Sequence, residues 1–194
     1  MAIATAQDSF IHDRLREVEQ VSEQTRQLTS DLAAAQLRWP PPSGGWSIAQ
    51  VFEHLVTSHT GYLEKLPEVI DAARERGDRA ARGEWRPSLA GGFLLRSVDP
   101  KNERRGPSPR SWRPGTEPRA DAVEAFLHTQ EELTALLHRA EGLDLNRIRT
   151  SSPVSKLIRL NLGDCFAILA AHGQRHMRQV ERIRRSGGFP AGEI

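Results

Sequence analysis

The chain has 194 residues, is 38% hydrophobic, and carries 27 Lys and Arg against 25 Asp and Glu for a formal charge of +2. That length supports one domain with a real core, spanning 1–194, and the polarity excludes a membrane-embedded protein. The near-balance of charge argues against a nucleic-acid partner, although nearly all the basic residues are arginine.

The N-terminal stretch has no basic segment followed by an apolar run, and no long uncharged apolar run occurs elsewhere, so a cytoplasmic location is expected. The single cysteine, Cys165, excludes an internal disulfide and any CxxC site. Residues 8–37 contain no Gly or Pro and place Phe10, Leu15, Val18, Val21, Leu28 and Leu32 at mostly helical spacing, which predicts a first long helix. It ends before RWPPPSGGW, where three prolines deny backbone donors and Gly44-Gly45 lets the chain turn.

A second helix opens at SIAQ, where Ser47 and Gln50 form the pattern of a capping box. Its apolar stripe runs through Ile48, Val51, Phe52, Leu55, His59, Tyr62 and Leu66, and Pro67 kinks or closes it, leaving its end between 66 and 77. Residues 77–118 then lose periodicity in Gly, Pro, Arg and the tryptophans Trp85 and Trp112. So long an irregular stretch reads either as a lid wrapped over an opening in the core or as a solvated arginine-rich surface. A third helix is expected over 119–140, with Gly142 at its end. LNLGD signals the fourth, with Asn161 as N-cap and Asp164 in the first turn, continuing to about Arg185. No convincing period-2 run appears, so the fold class is all-α, with four helices around one core.

On the fourth helix, His172 and His176 continue the stripe of Leu162, Cys165, Ile168, Leu169, Val180 and Ile183, while Arg175, Arg178, Arg182 and Arg185 form a separate stripe. Residues four apart advance a helix by ~6 Å, so both imidazoles reach a common point, as a first-row metal requires. A third ligand has to come from elsewhere, and the second helix offers His54 and His59. Periodicity favours His59, which lies within the apolar stripe, over His54 at its edge, but spacing leaves both open. Cys165 shares the histidine face and reads as a small core residue, a thiolate role being the other reading. His12, His128 and His138 show no constellation.

GGWSIAQVFEHLVTSH followed by HGQRHMRQVERI resembles the DinB-like superfamily, which includes bacillithiol transferase-like proteins. The resemblance implies a four-helix bundle in up-down-down-up order with a long connection between helices two and three. It implies a divalent-metal site whose ligands are His54, directly before Leu55, with His172 and His176, reversing the preference from periodicity. The ion implied is zinc or nickel, or iron as in some relatives. The activity implied is transfer of a low-molecular-weight thiol to an electrophile or a related small-molecule reaction, with arginines binding anionic groups and Trp85 or Trp112 lining the pocket. The alternative is a non-catalytic, stress-related metal-binding bundle. Relatives that make thiohistidine carry HxxxHxE, whereas Met177-Arg178 follows His176 here, which counts against that branch. Because outer faces of such bundles often pair, a homodimer is expected.

Overall fold

The stretch expected as one helix over 8–37 is divided into α1 (Ala6–Thr29) and a short α2 (Ala34–Arg38). The break falls at Thr29-Ser30-Asp31, residues whose side chains compete for backbone groups. Thr29 Oγ1 donates to the carbonyl of Thr25 at 2.7 Å, and Asp31 turns outward to accept from Arg184 at 2.7 and 2.9 Å. Residues 6–80, 83–102 and 108–191 are described by the structure, a computed structural model.

The capping box at Ser47 forms as its sequence dictates: Ser47 Oγ accepts from Gln50 N at 3.3 Å, and Gln50 Oε1 accepts from Ser47 N at 3.0 Å. It starts α3 (Ile48–Leu63), which stops before Pro67 is reached. Proline lacks a donor but fits a helix's first turn, so Pro67 sits in the first turn of a separate helix, α4 (Leu66–Arg76). Gly77, with φ 72°, takes the left-handed conformation that closes α4.

The irregular reading of 77–118 needs correction. Leu89–Val98 forms a helix, α5, capped by Ser88 Oγ accepting from Gly91 N at 3.0 Å, and Arg110–Trp112 forms a single 3-10 turn. Residues 81–82 and 103–107 of that stretch lie outside the described residues. Helix α6 (Ala122–Ala140) begins three residues later than expected. A small antiparallel hairpin follows, β1 (Arg149–Ser151) and β2 (Arg159–Asn161), with Thr150 opposite Leu160. Strands of three residues are too short to show alternation in sequence. Asn161 and Asp164 form the second capping box, at 2.7 and 2.9 Å, and open α7 (Leu162–Arg184).

The four long elements α1, α3, α6 and α7 make a four-helix bundle, in which α1 and α3 each pack against both α6 and α7. Helices α1 and α7 meet in the same order, Val21 against Gly173, Thr25 at Met177 and Leu28 at Arg184, whereas His54 of α3 meets His176 and His59 lies by His172. Two apolar clusters fill the bundle. One gathers Leu66, Ile70, Leu133, Leu137 and Phe166. The other gathers Ile48, Phe52, Phe126, Met177 and Val180. Full burial of each such large side chain is worth ~1.5–3 kcal/mol, which is what holds the helices in register. Along α7 the first cluster stops at Ala170 and the second resumes at Met177, so His172 and His176 occupy the junction. Helix α5 lies on α7 and the 3-10 turn lies on α3, so the connection between α4 and α6 covers this junction. Among the described residues, no helix is long and apolar enough to cross a membrane.

Candidate metal centre

Helix α3 brings His54 to the junction from one side and α7 brings His172 and His176 from the other. The Nε2 atom of His172 lies 3.2 Å from Nε2 of His54 and 3.0 Å from Nε2 of His176. One ligand atom from each ring falls within 4.8 Å of the others. Nitrogens held about 2.0–2.1 Å from an ion, at angles of roughly 90–110°, stand about 2.8–3.4 Å apart. The two spacings to His172 therefore match imidazoles sharing one cation, and the third pair, within 4.8 Å, lies in reach of the same ion.

The outer edges of the rings fix which nitrogens carry lone pairs. His54 Nδ1 stands 2.8 Å from the carbonyl oxygen of Trp112, which can only accept, so Nδ1–H donates and Nε2 is bare. His176 Nδ1 donates to Gln179 Oε1 at 2.8 Å, with the same consequence. His172 Nε2 faces both lone pairs and has at most one proton to give. A cation satisfies what a proton does not, and the carbonyl and amide partners are the outer-shell acceptors that orient metal-bound histidines. Nothing else in the donor set conflicts with a divalent ion.

Burial keeps the rings neutral. It holds His176 down at about 3, helped by the neighbouring His54, and holds His172 well below the ordinary histidine value, helped by His176 and His54. His54 is lowered by burial too, against the opposing pull of its Trp112 hydrogen bond. Neutral imidazole is the ligating form. Trp46, one residue before the capping box, stacks at a tilt on His54 with centroids 4.9 Å apart.

His59, the residue periodicity favoured, is fully buried on the wall of the same site, beside His172 but outside the cluster of converging nitrogens. Its Nδ1 faces Gln130 Nε2 of α6 at 3.4 Å, its Nε2 has no hydrogen-bond partner among the described residues, and its ring centroid is 5.6 Å from that of His172. Burial first, and His54 second, lower it to about 3. Cys165 is completely buried in the core, where burial and the adjacent Asp164 push the thiol up, so it is a packing residue. Arg178 sits where HxxxHxE would place its glutamate, and it points away to donate to Pro100 O at 3.0 Å. Arg175 donates to Asp99 O at 2.9 Å and to Asn102 O, so two of the stripe's arginines hold the end of α5.

The triad opens on a cavity of about 870 Å³ whose wall includes Trp46, Tyr62, Trp112, Arg175, Gln179 and Arg182. Trp112 lines it, whereas Trp85 packs on Phe10 with centroids 4.4 Å apart and donates to Asn161 Oδ1 at 3.0 Å. Sequence reasoning missed Gln179 and the Trp112 carbonyl. Gln179 could have been found from its place three residues after His176, one helical turn along, but a backbone carbonyl from a distant connection leaves no sequence signal.

Comparison with solved structures finds similarity to YfiT from Bacillus subtilis, described as a probable metal-dependent hydrolase with an unusual four-helix bundle topology. The two are 16% identical, with 95% of this chain and 89% of that one covered at a TM-score of 0.58. At that identity the likeness establishes the fold. None of the curated proteins matches the chain. The model of the DinB superfamily matches residues 17–180, a span that contains all three histidines, and the chain therefore belongs to the DinB superfamily.

Proposed function

We propose that the protein is a metal-dependent enzyme that activates a low-molecular-weight thiol for transfer to a small electrophile, using a divalent ion, zinc or nickel, held by His54, His172 and His176. The observation that carries this reading is the convergence of three Nε2 atoms, two of them bare, on the wall of a cavity of about 870 Å³. When bound, such an ion supplies a Lewis acid that lowers the pKa of a thiol or water beside it. The chain's own contribution is to keep the imidazoles neutral by burial, to fix their tautomers through Trp112 and Gln179, and to limit water access with α5 and the 3-10 turn. Because Cys165 is sealed in the core, the sulfur nucleophile in this reading arrives as a co-substrate.

The test is elemental analysis of purified protein beside the His54→Ala and His172→Ala variants, followed by a screen of thiols against electrophiles with the loaded protein. Metal retained by wild type and lost in both variants, with thiol consumption that tracks metal content, supports the reading. Turnover that is unchanged by metal removal overturns it. A second reading is hydrolysis at the same site, favoured by the description of YfiT as a probable metal-dependent hydrolase. Product release from ester or amide substrates without added thiol separates it. A third, a metal that only ties together the two apolar clusters, is favoured by the position of the triad at their junction. It predicts a lower melting temperature with chelator and no turnover in either screen.

A further inference from the structure

The cavity is far larger than an ion and its water require, and its volume is that of a site for a small organic molecule. Its two ends differ in chemistry. At the end formed by the start of α3 and the last turns of α7, the wall carries Ser43, Gln179, Arg182 and Ser186 beside the apolar Trp46 and Ile183. At the other end, which carries no charged side chain, α5 supplies Leu94 and Val98, the hairpin supplies Val154 and Ile158, and α7 supplies Ile168 and Leu169, with Ser97 and Ser152 as polar residues among them. The three imidazoles stand between, since His172 and His176 separate Leu169 from Gln179 along α7.

The polar end is positively charged. Arg182 has an exposed side chain with no hydrogen bond or ion pair among the described residues, in contrast to Arg175 and Arg178, which hold α5. Arg175 also lines the cavity, close enough to Arg182 for the two charges to interact. Among the described residues, no aspartate or glutamate lines the wall. A guanidinium beside an amide and two hydroxyls is a donor set for an anion. The apolar end, by contrast, offers an alkyl or aryl group a surface on which to shed water.

We infer that the acceptor substrate is an amphipathic organic anion. Its anionic group sits at Arg182 and Gln179, and its apolar body lies against Leu94, Val98, Val154 and Ile158, so its middle passes the histidine triad. The assignment rests on the reading of the triad as a reactive metal site, because that reading makes the middle of the ligand the part that reacts. Recognition of the two ends stands on the wall residues alone.

The test is calorimetric titration of the full chain with straight-chain carboxylates from butanoate to octanoate and with the matching primary amides, in metal-loaded and chelator-treated protein. Affinity is expected to rise about three- to fourfold per methylene until the apolar end is filled. Carboxylates are expected to bind about tenfold better than amides, an advantage that Arg182→Gln removes. Ile158→Trp, which fills the apolar end, is expected to abolish the dependence on chain length while metal content stays at the wild-type level. Affinity that is flat with chain length overturns the proposal, as does an Arg182→Gln variant that weakens carboxylates and amides alike. Carboxylate binding that disappears with the metal and ignores Arg182→Gln also overturns it, by placing the headgroup on the ion. If wild type holds no metal yet both dependences persist, the amphipathic ligand is upheld and the metal-enzyme reading alone falls.

Discussion

The carbonyl oxygen of Trp112 accepts a hydrogen bond from His54 Nδ1 at 2.8 Å, so a residue of the connection between α4 and α6 sets the tautomer of an imidazole on α3. The connection that covers the cavity thereby also prepares the site. Since the bond is made by the backbone, Trp112→Ala should leave metal affinity within about threefold of wild type, whereas removing the acceptor of His176 through Gln179→Ala should weaken it by ~10–100-fold. Competition with a metallochromic chelator measures both. Equal losses in the two variants would show that the Trp112 ring, rather than its carbonyl, holds His54.

The two candidate histidines of α3 make opposite predictions. His54→Ala should abolish stoichiometric metal binding, because it removes one of three nitrogens 3.0–3.2 Å from their neighbours. His59→Ala should keep the metal but lower stability by ~2–4 kcal/mol, as expected when a completely buried ring between α3 and α6 is replaced by a cavity. Metal content and the midpoint of urea unfolding, taken together, check the pair. A His59→Ala protein that folds normally yet loses the metal would move His59 into the ligand set.

The sequence made much of this site legible, for reasons specific to the residues. The capping box of Ser47 with Gln50 and the N-cap at Asn161 were readable because they act within one turn of a helix, while the return bond from Asp164 to Asn161 N was not anticipated. The pair His172 and His176 was readable for the same reason. The choice between His54 and His59 was not, because periodicity reports burial and both are buried, at 4% and 0% exposure. Only the family resemblance pointed to His54. Helix α5 was hidden because its packed face, Ala90, Leu94, Leu95 and Val98, is masked in sequence by the glycine pair and by apolar residues on its outer side. Its Gly91 lies directly on the Asp164 carboxylate, while Leu89 and Phe93 on the opposite side face solvent. The break at Ser30 was missed and the end of α3 was placed too late, because a short helix can follow a turn without any gap in apolar spacing.

Acid should destabilise the metal-free protein. His59 and His176 are both held down at about 3 by burial, against an ordinary value of 6.5 that the unfolded chain recovers. A group with a depressed folded value stays neutral in the native state while the unfolded state takes up its proton. Stability is therefore complete above about pH 6.5 and falls as pH drops toward 3, by ~1.4 kcal/mol per pH unit for each such histidine. Thermal unfolding in chelator between pH 7.5 and 4.5 should show this decline, and His59→Gln should make it shallower. A melting temperature that is flat from pH 7 to 5 would contradict the neutral, buried state of these rings.

The seating of α5 predicts unequal effects for two adjacent glycines. A Cβ built on Gly91 would fall 2.2 Å from Asp164 Cγ and Oδ1. Asp164 cannot yield easily, since it accepts from Ser88 Oγ at 2.5 Å and Ser88 N at 3.1 Å, as well as from Asn161 N at 2.9 Å. Gly91→Ala should therefore cost ~1–3 kcal/mol, the range for overpacking a closed contact. At Gly92 the nearest atoms to a new Cβ are 3.8 and 3.9 Å away, an ordinary contact, so Gly92→Ala should stabilise by ~0.5–1 kcal/mol through helix propensity alone. Because α5 and its following residues are fastened to α7 through Arg175 and Arg178, Gly91→Ala should also raise hydrogen exchange across 89–102 while leaving α6 protected. Exchange that rises equally in α6 would mean that α5 does not open independently of the bundle, and that access to the histidines requires global unfolding rather than release of this one helix.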